Sequence, residues 1–388
     1  MLEINEEAMS MILGIYPDEH LMERPLFADA LASGELSISA LRKECETLLI
    51  PWQLFLLKES KLKPTLERIE ARRKAKFSTR LIANRSNDGS GISLRIADRV
   101  IGLQEFASSG INESNDFCGM LITHHRSKWP AIIASHFSLD PDRMSGRGKE
   151  TVLKYLIKQT ESKNIRVSRG VLSSSVKFFP VTRQIQKTYR QSSGFVVHDE
   201  KLPYIFLPDE MGNNETPGRQ ILTLLVLLVL VGTNNYDYYL TGDLELRMRR
   251  IAILKQAFGV ATEILFPYGA SDVYRGQEIT YDICEELSKK YMLTPSAVMV
   301  TLRQRDVIAS DKELSILLDS IPMSTGGGGP MNQPKIETAV NKLCGMSTTK
   351  DIVQALNNKS LTSINAQYLV FGRVDKLQFA KFAAAVGL

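Results

Sequence analysis

At 388 residues the chain is too long for a single small core, so two or three lobes are expected. With 44% hydrophobic and 23% charged residues and a mean hydropathy of -0.10, the composition excludes a chain that is disordered over most of its length. A net charge of +5 permits an acidic partner but requires none, which leaves local charge clusters to decide.

The first ten residues, MLEINEEAMS, are acidic and lack a basic segment ahead of an apolar stretch. No secretory leader is expected, and the cytoplasm is the expected compartment. Residues 1–90 read as a helical N-terminal region. In SGELSISALRKECETLLIPWQLFLL, Ser37 or Ser39 can cap a helix. Leu41, Cys45, Leu48 and Leu49 then form one apolar stripe, and Pro51 ends the helix. Residues 61–86 carry nine basic residues: Lys61, Lys63, Arg68, Arg72, Arg73, Lys74, Lys76, Arg80 and Arg85, against Glu67 and Glu70. Mixed signs at helical spacing read as a solvated helix face. The competing reading is a contact to nucleic acid or to an acidic protein patch.

Residues 95–160 read as mostly helical, with loops at Asn112–Asn115 and Asp140–Gly148 and an amphipathic helix over Thr151–Lys163. The pattern then changes to short β-prone runs at Ile165–Ser168, Val176–Pro180, Gly194–His198 and Tyr204–Leu207, which predict a small sheet. Helices are expected again at 219–232, 244–266, about 277–291 and 295–305. The apolar run Ile221–Val231 is much shorter than the roughly 20 residues a spanning helix needs, so it reads as buried core and no membrane is expected. Ser324–Pro330, STGGGGP, lacks the Lys-Ser/Thr of a phosphate-binding loop and reads as a linker. The tail, 334–388, has amphipathic helices near 348–357 and 375–386. The expected class is α+β: mostly helical with a small central β-sheet. Its parts are 1–90, a core over 91–310, a Gly-rich linker at 311–333 and a small helical C-terminal domain at 334–388.

Cys45, Cys118, Cys284 and Cys344 are far apart and form no CxxC pair, the usage of a reducing compartment. None of His20, His124, His125, His136 and His198 makes an HxxxH pair, and adjacent His124 and His125 point in different directions on any regular element. Cys118 near His124 reads as a buried thiol, and no GxSxG occurs.

The order of the pieces resembles the ImmA/IrrE metallopeptidases. In that family a small sheet leads into a helix with the signature TLAHELGH. Here Gly194–Val197 and Leu202–Leu207 resemble the sheet, and GRQILTLLVLLVLVG, Gly218 to Gly232, resembles the signature helix through Arg219, Gln220, Ile221, Thr223, Leu224 and Gly232. QAFGVATEILFP, Gln256 to Pro267, is similar to the family stretch EAxxFAxxLLxP. The helix pair Ile283–Ile308 resembles the pair after the peptidase core, and the segment from Ser33 to Leu57 resembles the leader of long-form members. The resemblance implies a zincin-like core.

A zincin helix places two His at i and i+4 on one face around zinc, with a Glu as general base. On this alignment those positions hold Val226, Leu227 and Leu230, and the third ligand, a Glu in the family, falls at or near Gln256. Neither zinc nor another cofactor is expected, and no catalytic residue survives. The implied function is therefore that of a non-catalytic regulator, a degenerate HExxH pseudo-peptidase acting by protein–protein interaction. The family context implies a mobile-element, toxin–antitoxin or phage-defence module, with a repressor, toxin or defence component as partner. Contact surfaces would be the strand edges Gly194–Val197 and Tyr204–Leu207, by strand addition, and the tail. A second reading is a DNA- or RNA-binding regulator. It would use Tyr281–Ile308 as a helix-turn-helix presenting Ser296, Thr301, Arg303 and Arg305, with phosphate contacts from Arg72, Arg73, Lys74, Lys76 and Arg80. A third is an active metallopeptidase with a relocated site.

Overall fold

The computed structural model describes residues 2–3, 5–15, 24–48, 50–78, 81–84, 94–144, 146–170, 194–208, 216–238, 244–322, 335–372 and 374–388. The first lobe closes on itself. Strand β1 (Leu2–Glu3) is followed by α1 (Glu6–Gly14) and α2 (Pro25–Ser33). Strand β2 (Glu35–Leu36) then pairs antiparallel with β1 and leads into α3 (Ile38–Leu48), the 3-10 turn Trp52–Leu56 and α4 (Glu59–Ser78). Asn5 caps α1 by accepting the Ala8 N–H at 2.9 Å. The Ser37 carbonyl accepts the first bond of α3 from Leu41 N–H. The lobe's core gathers Ile12, Phe27, Leu41, Cys45, Leu62 and Leu66, so the stripe read from the sequence at Leu41 and Cys45 is the buried one.

The chain then enters a central sheet. It contains β3 (Leu81–Asn84), α5 (Leu94–Ser108), α6 (Trp129–His136), α7 (Pro141–Met144), α8 (Lys149–Glu161), β4 (Arg166–Gly170), β5 (Phe195–Val197), β6 (Tyr204–Pro208), α9 (Pro217–Gly232), β7 (Asp237–Tyr238) and α10 (Leu244–Leu265). The strand order is β4-β6-β5-β3-β7, with β4 and β6 parallel and the other pairs antiparallel. Three of the four expected strands are β4, β5 and β6; Val176–Pro180 lies outside the described residues. Strands β3 and β7 are additions. The boundary at residue 90 is corrected by β3, which pairs Ile82 with Val197 and Asn84 with Phe195 inside the sheet.

Alternation along the strands divides the sheet into two faces. Val167, Val196, Ile205 and Leu207 point to α8 and α9. Phe195, Val197, Tyr204 and Phe206 point the other way, against α5 and the tail. Beyond α10 come α11 (Tyr268–Asp272), α12 (Tyr281–Lys290), α13 (Pro295–Gln304) and α14 (Asp311–Asp319). Helix α14 occupies the start of the expected linker and buries Leu317 in the α9 core, while Ser324–Pro330 lies outside the described residues.

The tail forms α15 (Ile336–Cys344), α16 (Met346–Asn357), α17 (Ser363–Phe371) and α18 (Lys376–Val386). It has no core of its own. Val340, Ile352, Val370, Phe371 and Phe382 share one cluster with α5 and the outer face of the sheet. The fold class is α+β and mostly helical. Among the described residues no helix is long and apolar enough to cross a membrane.

Candidate functional site: the hydrocarbon helix behind the sheet

Pro217 at the first turn starts α9, its fixed φ and missing N–H suiting that position. From Leu224 to Gly232 the helix is apolar all round, as a helix enclosed on every side must be, and 14 of its 16 residues are buried. It lies between the sheet, α8 and α10. Its contacts are close. A Cβ at Gly232 would come within 2.7 Å of Leu121 Cδ1 on the 3-10 turn Met120–Thr123 and 3.0 Å of Phe117, so a side chain there would require these neighbours to shift. The buried Gln220 amide donates to the Pro208 carbonyl at the end of β6.

The positions aligned with the zincin ligands and base are Val226, Leu227 and Leu230, exposed by 1%, 0% and 2%. They carry no lone pair, and their surroundings are equally apolar. On α10, Leu254, Ala257, Val260 and Ala261 turn inward to the same cluster. Gln256 is exposed on α10. The expectation that it occupies the third ligand position therefore needs correcting, because the helical register turns it out of the buried face while its neighbour Ala257 faces in. Among the described residues, no group of three or more His, Cys, Asp or Glu side chains is arranged to hold a metal ion.

The nearest polar cluster was not foreseen. At the C-terminal end of α9, Cys118 Sγ lies 3.7 Å from the Asp199 carbonyl oxygen, and the His198 and Tyr236 rings are 4.3 Å apart. Gln104 donates to the Asp199 carboxylate. Burial, reinforced by Asp199, Glu200 and Asp116, pushes the Cys118 thiol up to about 12, so it is protonated at neutral pH and a poor nucleophile. Burial lowers His198 below its ordinary value and raises Tyr236 well above its own. All three groups are held neutral, as structural polar residues are. Cys118 and Asp199 are 81 positions apart, and no short motif could have joined them. His124 and His125 are exposed, and His20 lies outside the described residues. His136 packs on Phe117 at 5.0 Å, and burial lowers its pKa.

The helix pair α12–α13 starts α13 as the sequence suggests, with Thr294 accepting the Ala297 N–H at 3.2 Å and Pro295 next. Its reading face is corrected. Thr301 is buried and donates to the Ala297 carbonyl. Arg305, only 5% exposed, reaches Glu263 at 3.0 Å and the Pro267 and Phe266 carbonyls. Its guanidinium lies 4.2 Å from the Tyr268 ring centroid and 4.9 Å from that of Phe266. It is thus a buried tie between α10, α11 and α13, with both terminal nitrogens already bonded inside the protein. Arg303 pairs with Asp311 at 2.8 Å and Asp306 at 3.4 Å, so its charge is already compensated. Of the basic run, Arg72 is exposed on α4, which also contains Arg73, Lys74 and Lys76; Arg80 lies outside the described residues.

The strand edges proposed for partner addition are corrected as well. Strands β5 and β6 are interior to the sheet, and each is hydrogen-bonded on both sides. The edge strand β4 is covered by the tail. Gly345, between α15 and α16, has φ +76, and a Cβ there would lie 2.6 Å from the Val167 carbonyl.

Comparison with protein-family models, with curated proteins and with solved structures returns no match to this chain.

Proposed function

We propose that this protein is a non-catalytic regulator built on an ImmA/IrrE-like scaffold, acting by holding a protein partner. One observation carries the reading: the positions that would bear the zinc ligands and the general base are aliphatic and enclosed in hydrocarbon. Burying two imidazoles and a carboxylate there without metal would be costly, whereas each aliphatic side chain contributes about 1.5–3 kcal/mol on burial. The former cleft is therefore a packing layer. With β5 and β6 inside the sheet, the tail is what remains of the two contact surfaces that the resemblance implies. Ile364 and Tyr368, one turn apart on α17, and Leu377 on α18 are exposed there.

The test is metal stoichiometry of the full-length protein after zinc loading and desalting, with capture of co-expressed partners at about 0.5 M salt, where the Debye length falls to about 4 Å and exposed charge pairs beyond it are largely screened. Less than a tenth of a zinc per chain, with a partner retained at high salt and lost in a Tyr368→Glu/Leu377→Glu variant, is the expected result. One zinc per chain with peptide cleavage would overturn it.

A further inference from the structure

The N-terminal lobe has a core separate from that of the sheet, and one helix on it carries charge in an uneven way. Helix α4 packs inward through Leu62 and Leu66. Lys61, Arg68 and Arg72 are all exposed. At 3.6 residues per turn they fall within about 40° of one another, on a line about 16 Å long. The acidic residues of the helix, Glu59, Glu67 and Glu70, fall on the other flank, with Lys63 among them. None of Lys61, Arg68 and Arg72 has an acidic partner among the described residues, unlike Arg303 and Arg305. A helix whose charges were there only for solubility would pair them at i and i+4. Here the acidic flank holds Lys63 four residues from both Glu59 and Glu67, whereas the Lys61–Arg68–Arg72 flank holds no acidic residue.

We infer that the Lys61–Arg68–Arg72 flank of α4 is a docking surface for the phosphate backbone of duplex DNA, bound without sequence preference. A straight row of cations spaced along one helix suits a rigid line of phosphates with high linear charge density, that of a duplex. Single strands are held by aromatic stacking platforms, and among the described residues the flank offers none. Thr65, the hydroxyl beside the flank among the described residues, donates its proton to the Lys61 carbonyl at 2.7 Å and so offers no donor to a ribose 2′-hydroxyl. The acidic flank keeps the helix out of the major groove, whose walls would bring phosphates against Glu59, Glu67 and Glu70. The helix lies along one strand and reads no bases.

The test is fluorescence anisotropy of full-length protein with a labelled duplex of about 30 base pairs and arbitrary sequence. Salt is varied between about 50 and 200 mM, the range over which phosphate contacts weaken steeply. The expected log–log salt slope is about -2.7 for three phosphate contacts. Lys61→Gln/Arg68→Gln/Arg72→Gln should weaken binding at least tenfold at the low-salt end and flatten the slope, with circular dichroism unchanged because all three side chains are exposed. Glu67→Gln/Glu70→Gln, a control that keeps the basic flank, should bind as well or better. Three results would overturn the inference: no binding by wild-type protein at low salt, a triple variant that binds like wild type, or tighter binding to single strands or duplex RNA.

Discussion

The two faces of the central sheet are covered by different chemistry. Behind it lies α9, joined almost wholly by aliphatic contact. In front lie α5 and the tail, joined by aromatic residues and by polar ties. Phe195 and Phe206 of the sheet share a buried cluster with Phe371 and Phe382 of the tail, the Tyr204 hydroxyl donates to the Cys344 carbonyl, and Arg99 donates to the Val370 carbonyl. Arg166 pairs with Asp351 at 2.8 Å, and Ser347 donates to the Glu161 carboxylate at 3.0 Å. A dry interface gains from every apolar contact but has few directional constraints. The polar one sets which residues of the tail meet β4, β6, α5 and α8, because a directional bond is satisfied in one register only. The back of the sheet thus supplies stability, and the front supplies register.

The contrast can be broken most severely at the back. Leu230→Asp would place a carboxylate where no donor exists. The expected loss exceeds about 5 kcal/mol, the range in which an uncompensated buried charge unfolds a domain. Urea unfolding followed by far-UV circular dichroism measures it, and a variant within about 1 kcal/mol of wild type would mean that α9 is not enclosed. At the front, Gly345→Ala forces a side chain into a backbone region reserved for glycine and against the Val167 carbonyl. A cost of about 1–3 kcal/mol is expected. It should appear in hydrogen exchange as earlier opening of α15 and α16, with α9 protection unchanged. Equal loss of protection in α9 would show that the two faces open as one unit.

The smallest effect is in pH dependence. Burial raises the Glu161 carboxyl above its ordinary 4.5, more than Ser347 and Arg166 lower it. A raised carboxyl binds its proton more tightly folded than unfolded. Its contribution is therefore full below 4.5 and is lost as pH rises through the raised value. Glu161→Gln should flatten stability against pH in that window and leave the protein at least as stable at neutral pH. Thermal melts at pH steps from about 4 to 7 would show it. Identical pH profiles for variant and wild type would assign the dependence to another group, Asp351 being raised by burial as well.

Much of the local structure was legible from residue order. The stripe at Leu41 and Cys45, the Thr294–Pro295 helix start and the run from Ile221 to Val231 act through neighbours a few positions away, and each forms the element its pattern predicts. The misreadings share a cause. Strand β3, Leu81–Asn84, is too short to signal itself after a basic run, and hydrogen bonds to β5 and β7 make it a strand. Arg305 looks like any basic residue at a helix end until Glu263, Phe266 and Tyr268 close around it. Gln256 and Ala257 differ by one step of helical register, which alignment by motif does not resolve.

By itself, then, the sequence determined most of the helices through α13, three of the strands and the absence of lone pairs at Val226, Leu227 and Leu230, because these follow from side-chain chemistry and short-range periodicity. Only the tertiary structure decided that β5 and β6 have no free edge, that the tail closes the front of the sheet, and which arginines keep an uncompensated charge. Those properties belong to pairs of residues tens to hundreds of positions apart. Burial and pairing, rather than residue type, settle whether a charged or polar group is a contact surface or part of the core.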